Sequence, residues 1–359
     1  MKKNLSLVFA IISLFSINNT FAGNPDRIGQ AGASELLINP WARSSGWNGA
    51  NAAEIIGVES MNFNPSGLIS IPNTEILFSR TTWLSGSDIY INAFGIAQKI
   101  GKDKTSAIGI SVTSFDFGDI QITTVQNPEG GLGTFSPQFT NIGLSYAHKF
   151  SNRIRTGITL RVVSESIPDA KATGICMDAG LQYIADVTGK DEDKSKFSVS
   201  LRNVGTPMQF GGDGLTRRGS FESSPDITLS VDTKSASFDL PTLLNIALSQ
   251  DFYLDPKHYH KFTAAGSFVS NSFAYDQYSV GVQYSLKNIL LLRASMIMEK
   301  GVFSSDNDQQ KNIYTGPAAG FTVNIPFGKN RDKSFAVDYS YRATRYFNGT
   351  HCFGARIIL

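Results

Sequence analysis

The chain has 359 residues, with 32 basic and 30 acidic side chains, a formal net charge of +2 and 41% hydrophobic residues. So balanced a charge gives no electrostatic case for a nucleic-acid partner, and two cysteines are too few for a disulfide-dense secreted scaffold. Beyond Ala22 no apolar stretch approaches the roughly 20 residues that a helix needs to cross a bilayer. Instead, apolar residues fall in short alternating runs among abundant Gly, Ser and Thr, the texture of a membrane barrel whose strands each turn half their residues to lipid.

Residues 1–22 carry Lys2 and Lys3, an apolar run from Leu5 to Ile17 and the small-residue exit Thr20-Phe21-Ala22. This order is that of a cleavable secretory signal, which places the mature start near Gly23. No cysteine stands at that point to take a lipid anchor. From residue 23 to 72 no strand period is visible, and Gly, Ala, Asn and Ser dominate around Trp41, Trp47 and Phe63. Small residues with a few aromatic anchors suit a plug or hatch folded into a barrel lumen, where backbone lies close to wall side chains.

From residue 73 to the end the signal is period-two alternation. Tyr278, Val280, Val282, Tyr284 and Leu286 alternate with Ser279, Gly281, Gln283 and Ser285; Phe335, Val337, Tyr339 and Tyr341 alternate with Ser334, Ala336, Asp338 and Ser340. Strands are expected at Thr74–Trp83, Ile89–Lys99, Thr105–Phe115, Gln138–Lys149, Ile154–Glu165, Gly174–Ala185, Lys196–Val204, Thr242–Phe252, Phe262–Ser270, Gln277–Leu286, Ile289–Met298, Pro317–Ile325, Ser334–Ala343 and Gly349–Leu359. About fourteen strands, an even number of membrane-crossing length, predict an all-β transmembrane antiparallel barrel. Connections after odd strands include the long Ser114–Pro137, Ser166–Thr173, Gly205–Pro241 and Glu299–Gly316, and those after even strands are mostly shorter. In an outer-membrane barrel the long loops are extracellular and the short turns periplasmic, which puts both termini in the periplasm. Gly118–Val125 and Thr228–Phe238 have strand character and are assigned to the outer loops. The last strand, with Phe353, Ala355, Ile357 and Leu359 on one face, is similar to a barrel-insertion signal.

No catalytic constellation is present. His148, His258, His260 and His351 lack a Ser, Cys or carboxylate partner at a recognisable spacing. His258 and His260 share a face of an extended segment, yet their Asp-, Pro- and Lys-rich surroundings read as a solvated turn, not a metal site. Neither a metal nor a cofactor is called for. Gly211-Gly212-Asp213-Gly214 has no strand-to-helix context for cradling phosphate. Cys176 and Cys352, far apart in the strand order, read as two free inward-facing thiols, with a bridge between them in an oxidising compartment as the alternative. The alternation turns Asn141, Ser145, Arg155, Arg161, Asp178, Gln182, Asn245, Asp251, Arg293, Ser295, Glu299, Asp338, Arg342 and Arg356 to the lumen, where opposite charges are expected to pair with one another or with the hatch. Trp83, Tyr90, Tyr146, Tyr183, Tyr253, Tyr278, Tyr284 and Tyr346 are expected in interfacial girdles.

Two hatch segments carry a family resemblance. Asn64-Pro65-Ser66-Gly67-Leu68 resembles the Asn-Pro-Ala-Gly-Leu motif that closes the hatch of FadL-type barrels, with Ser66 in place of alanine. Ala42-Arg43-Ser44-Ser45-Gly46-Trp47-Asn48-Gly49-Ala50 resembles the Ala-Arg-x-x-Gly-Met-Gly-x-Ala segment of the PorV/PorQ family, with Trp47 and Asn48 in place of a smaller pair. The resemblance implies a non-enzymatic FadL-like barrel of type IX protein secretion. Such a barrel binds a large translocon barrel, or secreted proteins bearing C-terminal signal domains, through its rim and its loops Ser114–Pro137 and Gly205–Pro241. The competing expectation is a FadL-like passive transporter of hydrophobic small molecules, which needs an apolar pocket in the lumen. The mostly polar inward set counts against one.

Overall fold

The computed structural model describes residues 23–185, 195–221, 224–301, 312–328 and 333–359; the expected signal at residues 1–22 lies outside them. Among the described residues twenty strands are present, and fourteen of them close into one antiparallel barrel. Those fourteen are β1 (Thr74–Trp83), β2 (Ile89–Ile100), β3 (Ser106–Asp116), β6 (Gln138–Lys149), β7 (Ile154–Ile167), β8 (Ala170–Ala185), β9 (Ser195–Gly205), β14 (Leu243–Tyr253), β15 (His260–Asn271), β16 (Gln277–Leu286), β17 (Leu290–Glu299), β18 (Tyr314–Phe327), β19 (Lys333–Thr344) and β20 (Thr350–Ile358). Each pairs with its neighbour in chain order, and β1 closes on β20 with Glu75 opposite Ile358 and Thr82 opposite His351. Closure leaves no unpaired edge, the condition for a sheet to stand in hydrocarbon.

Period two gives each strand an inner and an outer face. On β6 the outer Ile142, Leu144 and Tyr146 are exposed while Asn141, Ser145 and Ala147 are buried. The same contrast separates Ile158, Leu160 and Val162 from Thr159, Arg161 and Val163 on β7. An apolar belt exposed on all the barrel strands except β15, with a packed interior, is the inverse of a soluble barrel and is the lipid-facing pattern.

The six remaining strands lie outside the barrel wall. β4 (Ile120–Gln121) pairs with β5 (Thr134–Phe135), β10 (Met208–Gln209) with β13 (Ser237–Phe238), and β11 (Thr216–Phe221) with β12 (Ser224–Asp232). Both loop segments expected to have strand character therefore form loop ladders. The connection expected at Ser166–Thr173 differs: β7 and β8 continue to Ile167 and Ala170, leaving a two-residue turn. Their extension is held by a bridge from Lys171 to Gly211 in the next loop. The strands that lead into the long connections, β3, β9 and β17, all finish at the same end of the barrel, which we call the long-loop end.

The N-terminal segment forms six short helical turns in the lumen: Pro25–Arg27, Ser34–Leu37, Ala42–Ser45, Ala50–Ala53, Val58–Asn62 and Pro65–Ser70. Trp41, Ala50, Val58, Met61 and Leu68 are fully buried there. Trp41, Val58, Met61, Leu68, Ile69 and Ile71 form one core with Leu77, Ala93, Ala97, Ala107 and Ala147 of β1, β2, β3 and β6. The hatch is apolar where the wall is apolar and small.

Candidate functional site: the hatch and the lumen

Turns this short leave most of their carbonyls without helical partners, and buried carbonyls need donors. The barrel wall supplies them. Arg161 donates to Met61 O at 3.1 Å, Gln182 to Ile55 O at 3.0 Å, Ser200 to Phe63 O at 2.8 Å, Ser267 to Gly49 O at 3.2 Å and Ser295 to Gly46 O at 3.0 Å. Arg293 reaches Arg43 O at 3.3 Å and Arg155 reaches Ser70 Oγ at 2.6 Å. These seven inward residues thus serve as hydrogen-bond partners for an irregular plug, in place of water in an open path.

Charge is matched within the same frame. Arg43 pairs with Glu59, whose other oxygen accepts from Ser44 N at 3.0 Å. Asp338 sits between Thr322 and Arg356, with Arg293 on the same threonine. Lys196 pairs with Asp251 at 2.9 Å and with Glu54 at 3.6 Å. The most buried pair is Arg161 with Asp178 at 2.7 Å, both nearly inaccessible. Asp178 also accepts from Asn203 N at 2.7 Å, where the β8–β9 register shifts and Asn203 takes φ +58°.

The hatch motif packs against a window of glycines. Gly157 and Gly180 are directly paired across β7 and β8. A Cβ on Gly157 would lie 2.4 Å from Pro65 C, and one on Gly180 2.0 Å from Asn64 Oδ1. Only glycine at both positions lets the turn reach the wall. Asn64 caps the following turn: its Oδ1 accepts from Ser66 Oγ at 2.6 Å and its Nδ2 donates to Leu181 O at 3.2 Å. Pro65 occupies the first position of that turn, where its missing N–H costs nothing. Gly67 lies against Ile55 O, and Leu68 is fully buried. In the second motif Ala42 packs on Gly354, Gly46 lies beside Arg293, and Trp47 covers Gly281. Asn64→Ala removes the cap and is expected to cost about 1 kcal/mol, read as a lower urea midpoint.

Near the long-loop end the lumen changes character. Val163, Ala172 and Cys176 on the inner face of β7 and β8 form an apolar cluster with Met208 and Leu240 of the 206–242 loop and Ala33 and Leu36 of the hatch. Phe210 and Phe238 pack on it with ring centroids 5.8 Å apart. The expectation of a mostly polar interior is corrected here: Met208 and Leu240, from a loop folded back into the barrel, and Ala33 and Leu36 of the hatch join inward strand residues in an apolar cluster. Alternation within strands does not report the loop and hatch members.

At the edge of this cluster the hatch residue Glu35 is buried beside Glu165 of β7. Burial first, and then the neighbouring carboxylate, push the Glu35 carboxyl up to about 8. The folded chain therefore holds a proton that the unfolded chain gives up near 4.5, so stability falls as pH rises from about 4.5 to about 8 and is level above that. Urea midpoints at pH 5 and pH 8.5 are expected to differ more for the native chain than for Glu35→Gln. Equal pH dependence in both would sink the assignment.

The other residues singled out in the sequence fall as follows. Trp83 shares the inner face with Ser79 and Thr81 and donates to Tyr314 OH at 3.1 Å, so it lines the lumen and is no part of a lipid girdle. Tyr253, on the inner parity of β14, stacks on His258 at 4.4 Å between ring centroids. Tyr146, Tyr183, Tyr278 and Tyr346 are exposed on the outside, and Tyr90 carries Arg80 over its ring at 4.6 Å. His260 turns away from His258 to bond Tyr284 OH at 2.6 Å. Cys176 and Cys352 are free thiols and buried; Cys352 accepts from Thr81 Oγ1 at 2.9 Å.

No family model matches the chain, and no curated protein matches it. Among solved structures it is similar to the Pseudomonas putida toluene transporter TodX, with 11% identity and a TM-score of 0.50 over 85% of this chain and 94% of that one. It is also similar to a Pseudomonas aeruginosa FadL homologue, with 11% identity and a TM-score of 0.48 over 87% and 97% of the two chains. A third similar structure is the CymD monoaromatic hydrocarbon channel, with 13% identity and a TM-score of 0.47 over 93% and 97%. The likeness to TodX is one of fold alone, and the fold of this chain is a closed fourteen-strand antiparallel barrel.

Proposed function

We propose that the protein is a non-enzymatic outer-membrane barrel that passes small hydrophobic molecules, with the short turns and the C-terminus in the periplasm and the long loops outside. Against the expectation of two periplasmic termini, the first described residues lie at the long-loop end, where Asn24 N donates to Asn271 O at 3.3 Å. The observation that carries this reading is the buried apolar cluster of Val163, Ala172, Cys176, Met208 and Leu240, packed on Ala33 and Leu36 of the hatch at the long-loop end, which a movement of the hatch would uncover. Once uncovered, such a surface favours transfer of an apolar solute from water by about 25 cal/mol per Å² that it covers. A polar lumen would offer it nothing. The comparison adds that a barrel of similar fold is described as a toluene transporter.

The role in type IX secretion, implied by the resemblance at Ala42–Ala50, rests on that segment alone. Uptake of labelled toluene by cells with and without the gene separates the two. Faster uptake with the barrel, lost in Met208→Glu, supports transport. Equal uptake, together with recovery of the barrel on a large translocon or on proteins bearing C-terminal signal domains, overturns it.

A further inference from the structure

The outer surface of the barrel is not uniformly convex. A groove of about 810 Å³ crosses β6 to β9 on the lipid-facing side, toward the short-turn end. Its walls are Tyr146, Phe150, Ile158, Leu181 and Leu201, and its floor is Ala179 with the backbone of Gly157 and Gly180. The depression follows from the sequence. Thr156, Ala179 and Val199 are short outward residues ringed by larger ones, and the glycine pair that admits the hatch turn from inside adds no bulk to the wall.

An apolar groove on a membrane-spanning surface is filled from the bilayer, and the polar groups at its end say by what. Ser106 Oγ lies 2.9 Å from His148 Nδ1 and 3.0 Å from Tyr146 OH, the three forming one hydrogen-bonded row on the outer face. With Nδ1 engaged by Ser106, His148 keeps Nε2 for a ligand. Phe150 packs edge-on against the imidazole at 4.8 Å. The two turns that bracket the row, residues 101–105 and 150–153, carry Lys102, Lys104 and Arg153 against Asp103 alone. Polar donors, with the net positive charge of the β2–β3 and β6–β7 turns beside them, therefore stand at one end of the groove, and hydrocarbon-compatible residues along the rest.

We propose that this groove is a binding site for one phospholipid of the leaflet at the short-turn end, an acyl chain lying over Ala179 and the phosphate held at His148, Ser106 and Tyr146. The proposal is independent of what passes through the lumen. It is tested on the full-length barrel, extracted in a mild detergent and exchanged with phosphatidylglycerol, by native mass spectrometry. The folded barrel is expected to retain one phospholipid. Ala179→Phe and Val199→Phe, each filling the groove from the lipid side, are expected to lower retention at least about tenfold. Val337→Phe, on the outer face of β19, is expected to leave it unchanged. His148→Ala is expected to weaken retention of phosphatidylglycerol while leaving that of a headless diacylglycerol as it was. Heat-modifiable gel mobility confirms that each variant is a closed barrel. Wild-type occupancy in both groove-filling variants overturns the site, as does a folded wild-type barrel that carries no phospholipid or carries a neutral hydrophobe in its place.

Discussion

Arg161→Ala is expected to destabilise the folded barrel by about 3–5 kcal/mol, because it leaves the Asp178 carboxylate buried without its cation. Four elements meet at this side chain. It extends from β7, pairs with Asp178 of β8 at 2.7 Å, reaches Asn203 Oδ1 of β9 at 3.3 Å and donates to Met61 O of the hatch at 3.1 Å. Asp178 in turn fixes the β8–β9 irregularity through Asn203 N, whose left-handed φ needs outside support. Arg202 lies in the same region over the Phe63 ring at 5.0 Å and faces Asp178 electrostatically, while the close contact with Asp178, at 2.7 Å, is that of Arg161. The double variant Arg161→Met with Asp178→Leu removes both charges and is expected to cost less than the single change. Urea unfolding followed by tryptophan fluorescence reads this directly, since two of the three tryptophans, Trp41 and Trp47, are in the hatch. A loss under about 1 kcal/mol for the single variant would place the pair among surface-like ion pairs and sink the argument.

The wall of this protein is legible in its sequence because each strand writes its two faces in alternate residues. Thr74–Trp83, Gln138–Lys149 and Gln277–Leu286 are read from the pattern to the residue. The lumen is less legible, for three physical reasons. The hatch has no period, because its turns are stabilised by donors such as Gln182 and Ser267 that are 127 and 218 residues distant in the chain. The inward glycines read as merely small, although Gly157 and Gly180 are where the hatch backbone touches the wall. The apolar cluster at the long-loop end draws on Met208, Phe238 and Leu240, which lie in a segment that reads as an ordinary outer loop. Trp83 shows the same limit from the other side: alternation does give its face, but a tryptophan at a strand end invites the girdle assignment. What a single chain reports poorly is contact between distant segments, and the candidate site is made of such contacts.

Gly180→Val is the sharpest probe of whether the hatch is the barrier. Any Cβ there comes within 2.0 Å of Asn64 Oδ1 and 3.1 Å of Pro65 Cδ, so the Asn64–Ser66 turn must leave the wall. The wall itself has no such conflict on its strand ladder: residue 180 stays opposite Gly157 and Ser200, and valine is at home in a strand. Displacing the turn also breaks the bond from Asn64 to Leu181 O and uncovers Leu68. Overpacking of this kind costs about 1–3 kcal/mol, and here the strain falls on the plug more than on the barrel. The variant is therefore expected to remain a heat-modifiable closed barrel. It is also expected to show red-shifted tryptophan emission from the hatch and faster liposome swelling with small solutes than the native chain. Gly143→Ala is the matched control, since its nearest obstacle is Ser111 Oγ at 2.9 Å, a hydroxyl free to rotate. Native-like swelling in Gly180→Val, with the barrel folded, would mean that the lumen is sealed by something other than the Asn64–Ser66 turn.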